Sequence, residues 1–150
     1  MDSSFRLLMT KVLTNLGLPT KPSDGDVYII SADQRVDVYI GCNEEETLYI
    51  FSRLGALAET ESNKLDVCKT LLGLNALTRH WTPTVWLSAD GEIVAWTRVN
   101  LSDMVITNTV TLISKFIDAA LQIQAFLDAA PDGSSSLEAH TPFNPGMMKG

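Results

Sequence analysis

The spacing of apolar residues along the chain predicts three helices. Apolar side chains recur every three or four residues over 4–16, which places them on one side of a helix that Gly17 can close. A second stretch with this period covers 62–78, with Ser62 as its expected N-cap. A third runs from Thr107 or Asn108 to about residue 129 and ends before Pro131.

Alternating positions between these helices predict five strands. Three cover 26–31, 35–40 and 46–54, and two more flank Asp90-Gly91 in VWLSADGEIVAWTRV, residues 85–99. Short connections imply antiparallel pairing. The order α-β-β-β-α-β-β-α predicts an α+β fold over 1–130, with three helices on an antiparallel five-stranded sheet. Pro, Gly and Ser dominate 131–150, which is expected to be a flexible tail.

Both faces of this sheet carry apolar or aromatic side chains. If Ala89 pairs with Glu92, the hairpin places Trp86 and Trp96 on opposite faces. Alternation in the first three strands groups four aromatic residues on one face, namely Tyr28, Tyr39, Tyr49 and Phe51. The second helix is apolar over so wide an arc that its own sheet can cover one side only, and the other side requires a second polypeptide.

Composition and charge narrow the class of partner. Hydrophobic residues make up 45% of the 150 residues, and the net charge is -7. This acidity argues against nucleic acid, because phosphate binding needs clustered Lys and Arg; the alternative is that it only keeps the protein soluble. We expect no membrane-spanning segment. Cys42 and Cys68 are not marked as a pair, which fits a reduced, cytoplasmic compartment.

Residue types for catalysis or metal binding are sparse. The sequence has no Gly-rich phosphate loop, G-x-S-x-G or H-E-x-x-H motif. His80 fits a cation near a helix C-terminus better than a catalytic group. The acidic stretches around Asp24 and over 44–46 fit solvated turns better than a calcium site. We therefore expect no catalytic residue, metal or cofactor, and a chain that presents surface to another polypeptide.

Four stretches in this order resemble one known family. FRLLMTKVLTNLGLP resembles its first helix and closing turn, and LYIFSRLGAL its third strand. LLGLNAL resembles its leucine-rich second helix, and LSADGEIVAWTRVNL its closing hairpin. Over about residues 4–129 the chain thus resembles the class I chaperones of bacterial type III secretion, the Tir chaperone family.

The resemblance implies a cytoplasmic homodimer in a bacterium with an injection apparatus. Such a chaperone binds an extended N-terminal segment of a secreted effector without ATP or cofactor, and the export-machinery ATPase is a further implied partner. Expected dimer contacts are Leu65, Cys68, Leu72 and Ala76, with Trp86 and Trp96. Expected partner-binding residues are Met9, Tyr28, Tyr39, Tyr49 and Phe51.

Two alternatives remain open at this point. In the first, the chain is a non-enzymatic adaptor or an antagonist of a regulatory protein, which has a similar fold and binds a folded partner. Equally, a monomer could bury the second helix in its own core and cover the sheet's aromatic residues with its own helices.

Overall fold

The computed structural model describes residues 3–56, 61–75 and 81–129, without the side chains of 61–63. The elements are α1 (Ser3–Asn15), β1 (Tyr28–Ala32), β2 (Val36–Cys42), β3 (Thr47–Ala56), α2 (Glu61–Leu74), β4 (Thr84–Leu87), β5 (Glu92–Asn100) and α3 (Ile106–Ala129). The strands form one sheet in the order β1-β2-β3-β5-β4, and all neighbours are antiparallel. The predicted order and fold class are confirmed. The predicted tail, 131–150, lies outside the described residues.

Helix α1 ends where the sequence predicts, at a glycine in the left-handed region. Gly17 has φ +70°, its N–H donates to the Thr14 carbonyl at 3.0 Å, and the Leu18 N–H donates to the Leu13 carbonyl at 2.8 Å. This pair of bonds is the Schellman motif, which satisfies the last carbonyls of a helix. The chain then turns toward β1.

The helices pack against one face of the sheet, which we call the inner face. Inner-facing side chains such as Val38, Ile50 and Ala95 join buried residues of all three helices in one core. Helix α3 has 24 residues and a mean hydropathy of 1.3 in its most apolar window, so length and composition alone would let it span a membrane. Here it contributes Phe116 and Ile123 to the core, and apolar side chains such as Ile117 and Leu121 are partly buried against that core.

The predicted face of Tyr28 is wrong. Tyr28 pairs with Ile40, and Ile30 pairs with Val38, so Tyr28 projects from the inner face. Apolar residues occupy both alternating sets in β1, so the hydrophobic pattern does not choose between registers that differ by one residue. The turn after β1, with Asp33 and Gln34 at positive φ, sets this register.

The predicted register of the second hairpin is also wrong by one residue. Ser88 and Glu92 close a three-residue loop: the Ser88 N–H donates to the Glu92 carbonyl at 2.8 Å, and the Gly91 N–H donates to the Ser88 carbonyl at 3.0 Å. Gly91 takes φ +78°, as the last residue of such a loop often does. Trp86 therefore pairs with Val94 and Thr84 with Trp96, which places both tryptophans on the outer face.

Helix α2 begins at Glu61, so Ser62 lies inside the helix and is not its N-cap. The predicted end at residue 78, Ala76 and His80 lie outside the described residues. Asn75 follows the helix and bonds both main-chain groups of Val85: its Oδ1 accepts from the Val85 N–H, and its Nδ2 donates to the Val85 carbonyl, both at 2.8 Å. This clamp joins α2 to the free edge of β4.

Candidate functional site: two apolar surfaces

Aromatic side chains follow one another across the outer face of the sheet. Ile29 lies opposite Tyr39, Tyr39 opposite Phe51, and Phe51 opposite Trp96. Tyr49 and Trp86 project from the same face beside this row. We call the whole surface the aromatic face, and its members are Ile29, Tyr39, Tyr49, Phe51, Trp86 and Trp96. Because the three helices pack on the inner face, none of them covers these side chains, and Tyr39, Phe51 and Trp96 are partly exposed.

The rings of the aromatic face are packed in an ordered array. Tyr39 and Phe51 stack with centroids 4.9 Å apart and planes 9° apart, and Tyr49 stands 6.2 Å from Phe51. Gly41 makes room for Tyr49, because a Cβ at Gly41 would lie 2.5 Å from the tyrosine hydroxyl oxygen. Stacked rings of this kind offer a broad, rigid contact area at low entropic cost.

An open recess lies at the end of the array near β4. Phe51, Trp86, Val94 and Trp96 contribute apolar side chains to its wall. The polar side chains in its lining belong to Tyr49, Thr84 and Asn75, and the Asn75 amide already bonds Val85. The recess is therefore shaped for an apolar side chain of a partner, and it offers contact area rather than acid–base groups.

A second apolar surface lies where α2 meets the edge of the sheet. We call it the edge patch, and its members are Leu65, Cys68, Leu72, Trp86 and Leu87. Leu65 is 57% exposed, Leu72 66% and Trp86 51%. Cys68, Leu72, Trp86 and Leu87 line one shallow pocket. Val67, Leu71 and Leu74 of the same helix are buried in the core, so α2 is apolar on two sides, as the sequence predicts.

The structure brings together some of the predicted site residues and separates others. Tyr39, Tyr49 and Phe51 lie on the aromatic face, while Leu65, Cys68, Leu72 and Trp86 lie in the edge patch. Trp96, which the sequence analysis lists with the dimer contacts, lies on the aromatic face and is not part of the edge patch. Met9 and Tyr28 are 0% and 1% exposed, so their predicted place on an open surface is wrong.

Met9 and Tyr28 are buried for identifiable reasons. Met9 shares the inward side of α1 with Phe5 and Val12, and Tyr28 follows the register of β1. The Tyr28 ring meets Phe5 edge to face at 5.7 Å, and its hydroxyl is buried without a hydrogen-bond partner. Burial raises the pKa of Tyr28 above its ordinary value of 10.0.

Sequence reasoning missed three residues of these surfaces. The predicted alternation places Ile29 on the face opposite the four aromatic residues and Leu87 on the same face as Trp96, and no prediction includes Arg98. The register error explains Ile29 and Leu87, since a shift of one residue changes the face of each side chain. Arg98 had a detectable signal, because it is a charge two positions from an aromatic residue on the same predicted strand.

Among the side chains that the structure describes, no three His, Cys, Asp or Glu residues converge as metal ligands. The acidic residues of the two predicted turns are exposed: Asp24, Asp26, Glu44, Glu45 and Glu46. Asn43 organises the second of these turns, because its Oδ1 accepts from the N–H groups of Glu45 and Thr47 at 3.0 and 2.9 Å. Hydrogen bonds between the Asn43 side chain and the neighbouring main chain therefore account for this turn.

Three helices on one face of a five-stranded antiparallel sheet, with apolar side chains on the other face, define a class of small α+β proteins. The model of the Tir chaperone protein (CesT) family matches residues 8–124, and the chain belongs to that family. The predicted resemblance to the class I chaperones of type III secretion is thereby confirmed.

Named relatives and solved structures agree with this assignment. The chain is 29% identical over 118 residues to the chaperone protein SycT of Yersinia enterocolitica, covering 79% of this chain and 82% of SycT. SycT of Yersinia pestis is 28% identical over 120 residues, with the same coverage of 79% and 82%.

Two solved structures share the fold. The ExsC-ExsE complex contains a chain with a TM-score of 0.65 and 18% identity, covering 89% of this chain and 100% of that one. The Yersinia pestis type III secretion chaperone SycH, in complex with a stable fragment of YscM2, has a TM-score of 0.62 and 19% identity, covering 79% and 98%.

Proposed function

We propose that this protein is a cytoplasmic homodimeric chaperone that binds the extended N-terminal segment of a type III secreted effector and keeps it competent for secretion. It does so by surface contact alone, without ATP, cofactor or catalysis. SycH, its structural neighbour, is a type III secretion chaperone solved with a bound fragment of another protein. The aromatic face is the observation on this chain that supports the proposal most directly.

The aromatic face suits an unfolded client better than a folded one. Its side chains are spread over all five strands and provide ring surfaces rather than a matched set of hydrogen bonds. Ordering an unfolded client on binding costs about 2–5 kcal/mol or more of binding free energy, which many apolar contacts must offset. A broad array of rings meets that requirement for extended segments of varied sequence.

The edge patch is the proposed dimer contact. In a two-fold dimer the same patch meets itself, and a helix with one side in the core and one side exposed can pack against its symmetry mate. Trp86 belongs to both surfaces, so the dimer contact and the client site adjoin. The Asn75 clamp on Val85 occupies the β4 edge at its centre, which leaves β1 as the sheet edge better suited to pair with a client strand.

Co-expression with candidate clients tests the proposal. The probes are the N-terminal segments of large proteins encoded next to this chain's gene, about 150 residues each, and the readouts are co-purification and limited proteolysis. We expect one segment to co-purify and to resist protease only when bound. Phe51→Ser and Trp96→Ser should each weaken binding about tenfold or more, as loss of an aromatic anchor does.

Val105→Ser is the matched control, because Val105 is an exposed apolar residue before α3 and outside both surfaces. It should bind the client as the unmodified chain does. A partner that is already folded and protease-resistant by itself would support the adaptor or antagonist alternative instead. Equal binding by the Phe51, Trp96 and Val105 variants would contradict the assignment of the aromatic face.

A further inference from the structure

Arg98 places a positive charge at the border of the aromatic face. It lies two residues after Trp96 on β5 and opposite Tyr49 on β3, so all three side chains project outward. Its guanidinium carbon stands 5.9 Å from the centroid of the Trp96 ring. At this distance a cation–π contact favours the guanidinium over the ring, beside the apolar recess.

The Arg98 guanidinium retains unused hydrogen-bonding capacity. In the described part of the chain, ion pairs join Arg6 to Asp26 and Arg35 to Asp128, and none within 4.0 Å includes Arg98. A guanidinium has five N–H donors in a planar fork that matches a carboxylate. The chain as a whole carries a net charge of -7, so Arg98 is opposite in sign to the net charge of the protein.

The distance between the recess and Arg98 corresponds to the two-residue repeat of side chains on one face of an extended chain. Trp96 and Arg98 are residues i and i+2 of a strand, which places their Cα atoms about 7 Å apart. An extended client has the same repeat, so an apolar side chain in the recess would leave the next side chain on that face near the guanidinium. A carboxylate there complements Arg98 in charge and geometry.

On the premise that the aromatic face is the client site, we propose that Arg98 selects clients in which an Asp or Glu lies two residues from a bulky apolar residue. The apolar side chain enters the recess beside Phe51 and Trp96, and the carboxylate accepts hydrogen bonds from Arg98. Apolar contact supplies most of the affinity. The charge pair supplies selectivity among otherwise similar segments.

Four synthetic peptides of 15 residues test this selection against the full-length chain by ¹⁵N NMR titration. Three share a central Leu and carry Glu, Gln or Lys at the positions two residues before and after it, which covers both chain directions. The fourth has Glu at these positions and Ser in place of Leu. We expect the Leu–Glu peptide to bind about three- to tenfold more tightly than the Leu–Gln peptide, with a difference that shrinks as salt is added.

Variants of the two outward-facing arginines complete the test. Arg98→Gln should abolish the preference for Glu, and Arg98→Glu should change it to a preference for Lys. Arg53→Glu is the matched control, because Arg53 is an exposed arginine of β3 that lines a different cleft, with Gln124 and Asp128 of α3; it should keep the preference for Glu.

The possible failures are distinguishable. Equal binding of the Glu, Gln and Lys peptides, with weaker binding of the Ser peptide, would overturn the selection by Arg98 and leave the client site standing. A preference for Glu that survives Arg98→Glu would overturn it as well. If no peptide perturbs the aromatic face, or if the Ser peptide binds as well as the Leu peptide, both this inference and the aromatic face as client site fail.

Discussion

At the scale of single residues, Tyr28 is the most informative side chain of the core. Its ring contributes a large buried apolar surface against Phe5, but its hydroxyl is buried without a partner. A buried polar group that lacks a hydrogen bond costs about 1–3 kcal/mol. The ring of Tyr28 therefore stabilises the core, and its hydroxyl group destabilises it.

We predict that Tyr28→Phe raises the free energy of unfolding by about 1 kcal/mol, since it removes the unpaired hydroxyl and keeps the ring. Urea unfolding at pH 7 measures this change. Tyr39→Phe is the control, because Tyr39 lies on the aromatic face, and it should stay within about 0.5 kcal/mol of the unmodified chain. A Tyr28→Phe protein less stable than the unmodified chain would show that the hydroxyl has a partner.

The raised pKa of Tyr28 adds a prediction about alkaline pH. The folded state holds this proton more tightly than the unfolded state, whose pKa is about 10. The free energy of unfolding is therefore not reduced by ionisation of Tyr28 below pH 10. It falls as the pH rises from 10 towards the folded pKa, because the unfolded state loses this proton first. The Tyr28→Phe protein should show a smaller loss of stability above pH 10, which unfolding curves at pH 9 to 11 would detect.

At the scale of elements, the Asn75 clamp connects α2 to the sheet. Helix α2 is joined to β3 and β4 through segments outside the described residues, and it contacts the sheet mainly at β4. Two hydrogen bonds from one side chain to the Val85 main chain fasten that contact. They also occupy donor and acceptor groups of an edge strand, which reduces unwanted strand pairing.

We predict that Asn75→Ala lowers the free energy of unfolding by about 1–3 kcal/mol, because it leaves the main-chain groups of a part-buried strand without partners. Hydrogen exchange of the Val85 amide should accelerate more than that of amides in β2. Asn100→Ala, at the exposed end of β5, is the control and should change little. Unchanged exchange at Val85 would show that the clamp contributes no protection.

At the scale of the whole molecule, the described part of the chain has two apolar surfaces that its own helices do not cover. A stable monomer rarely exposes apolar side chains as large and as close together as those of the edge patch. Helix α3 shows the contrast, because Phe116, Ile123 and the other side chains of its inward side are buried in the core. The edge patch therefore favours assembly with a second copy.

We predict that the protein is a dimer at micromolar concentration and that Leu72→Asp weakens the dimer at least about 30-fold. That figure corresponds to the roughly 2 kcal/mol expected for an interface hot spot. Sedimentation over a range of concentrations measures it, with circular dichroism as a check on folding. Leu7→Asp, an equally apolar site that is 56% exposed on α1, should leave the dimer intact. A monomer at these concentrations would contradict the dimer proposal.

The sequence by itself determined the elements, their order and the surplus of apolar surface. The period of three to four in α1 and α3, the glycine that ends α1 and the two-sided apolar pattern of α2 are local features, and local propensity is enough to recognise them. Tyr39, Tyr49 and Phe51 were assigned to the outer face because the second and third strands each have one strongly apolar set.

Only the tertiary structure decided which faces the ambiguous residues take. In β1 and β4 both alternating sets are apolar, so burial energy does not separate two registers, and turn geometry after Ala32 and Ser88 makes the choice. That choice buried Tyr28 and brought Trp86 and Trp96 together. The recess and its neighbour Arg98 exist only through pairing between strands distant in sequence, and no local pattern specifies such pairing.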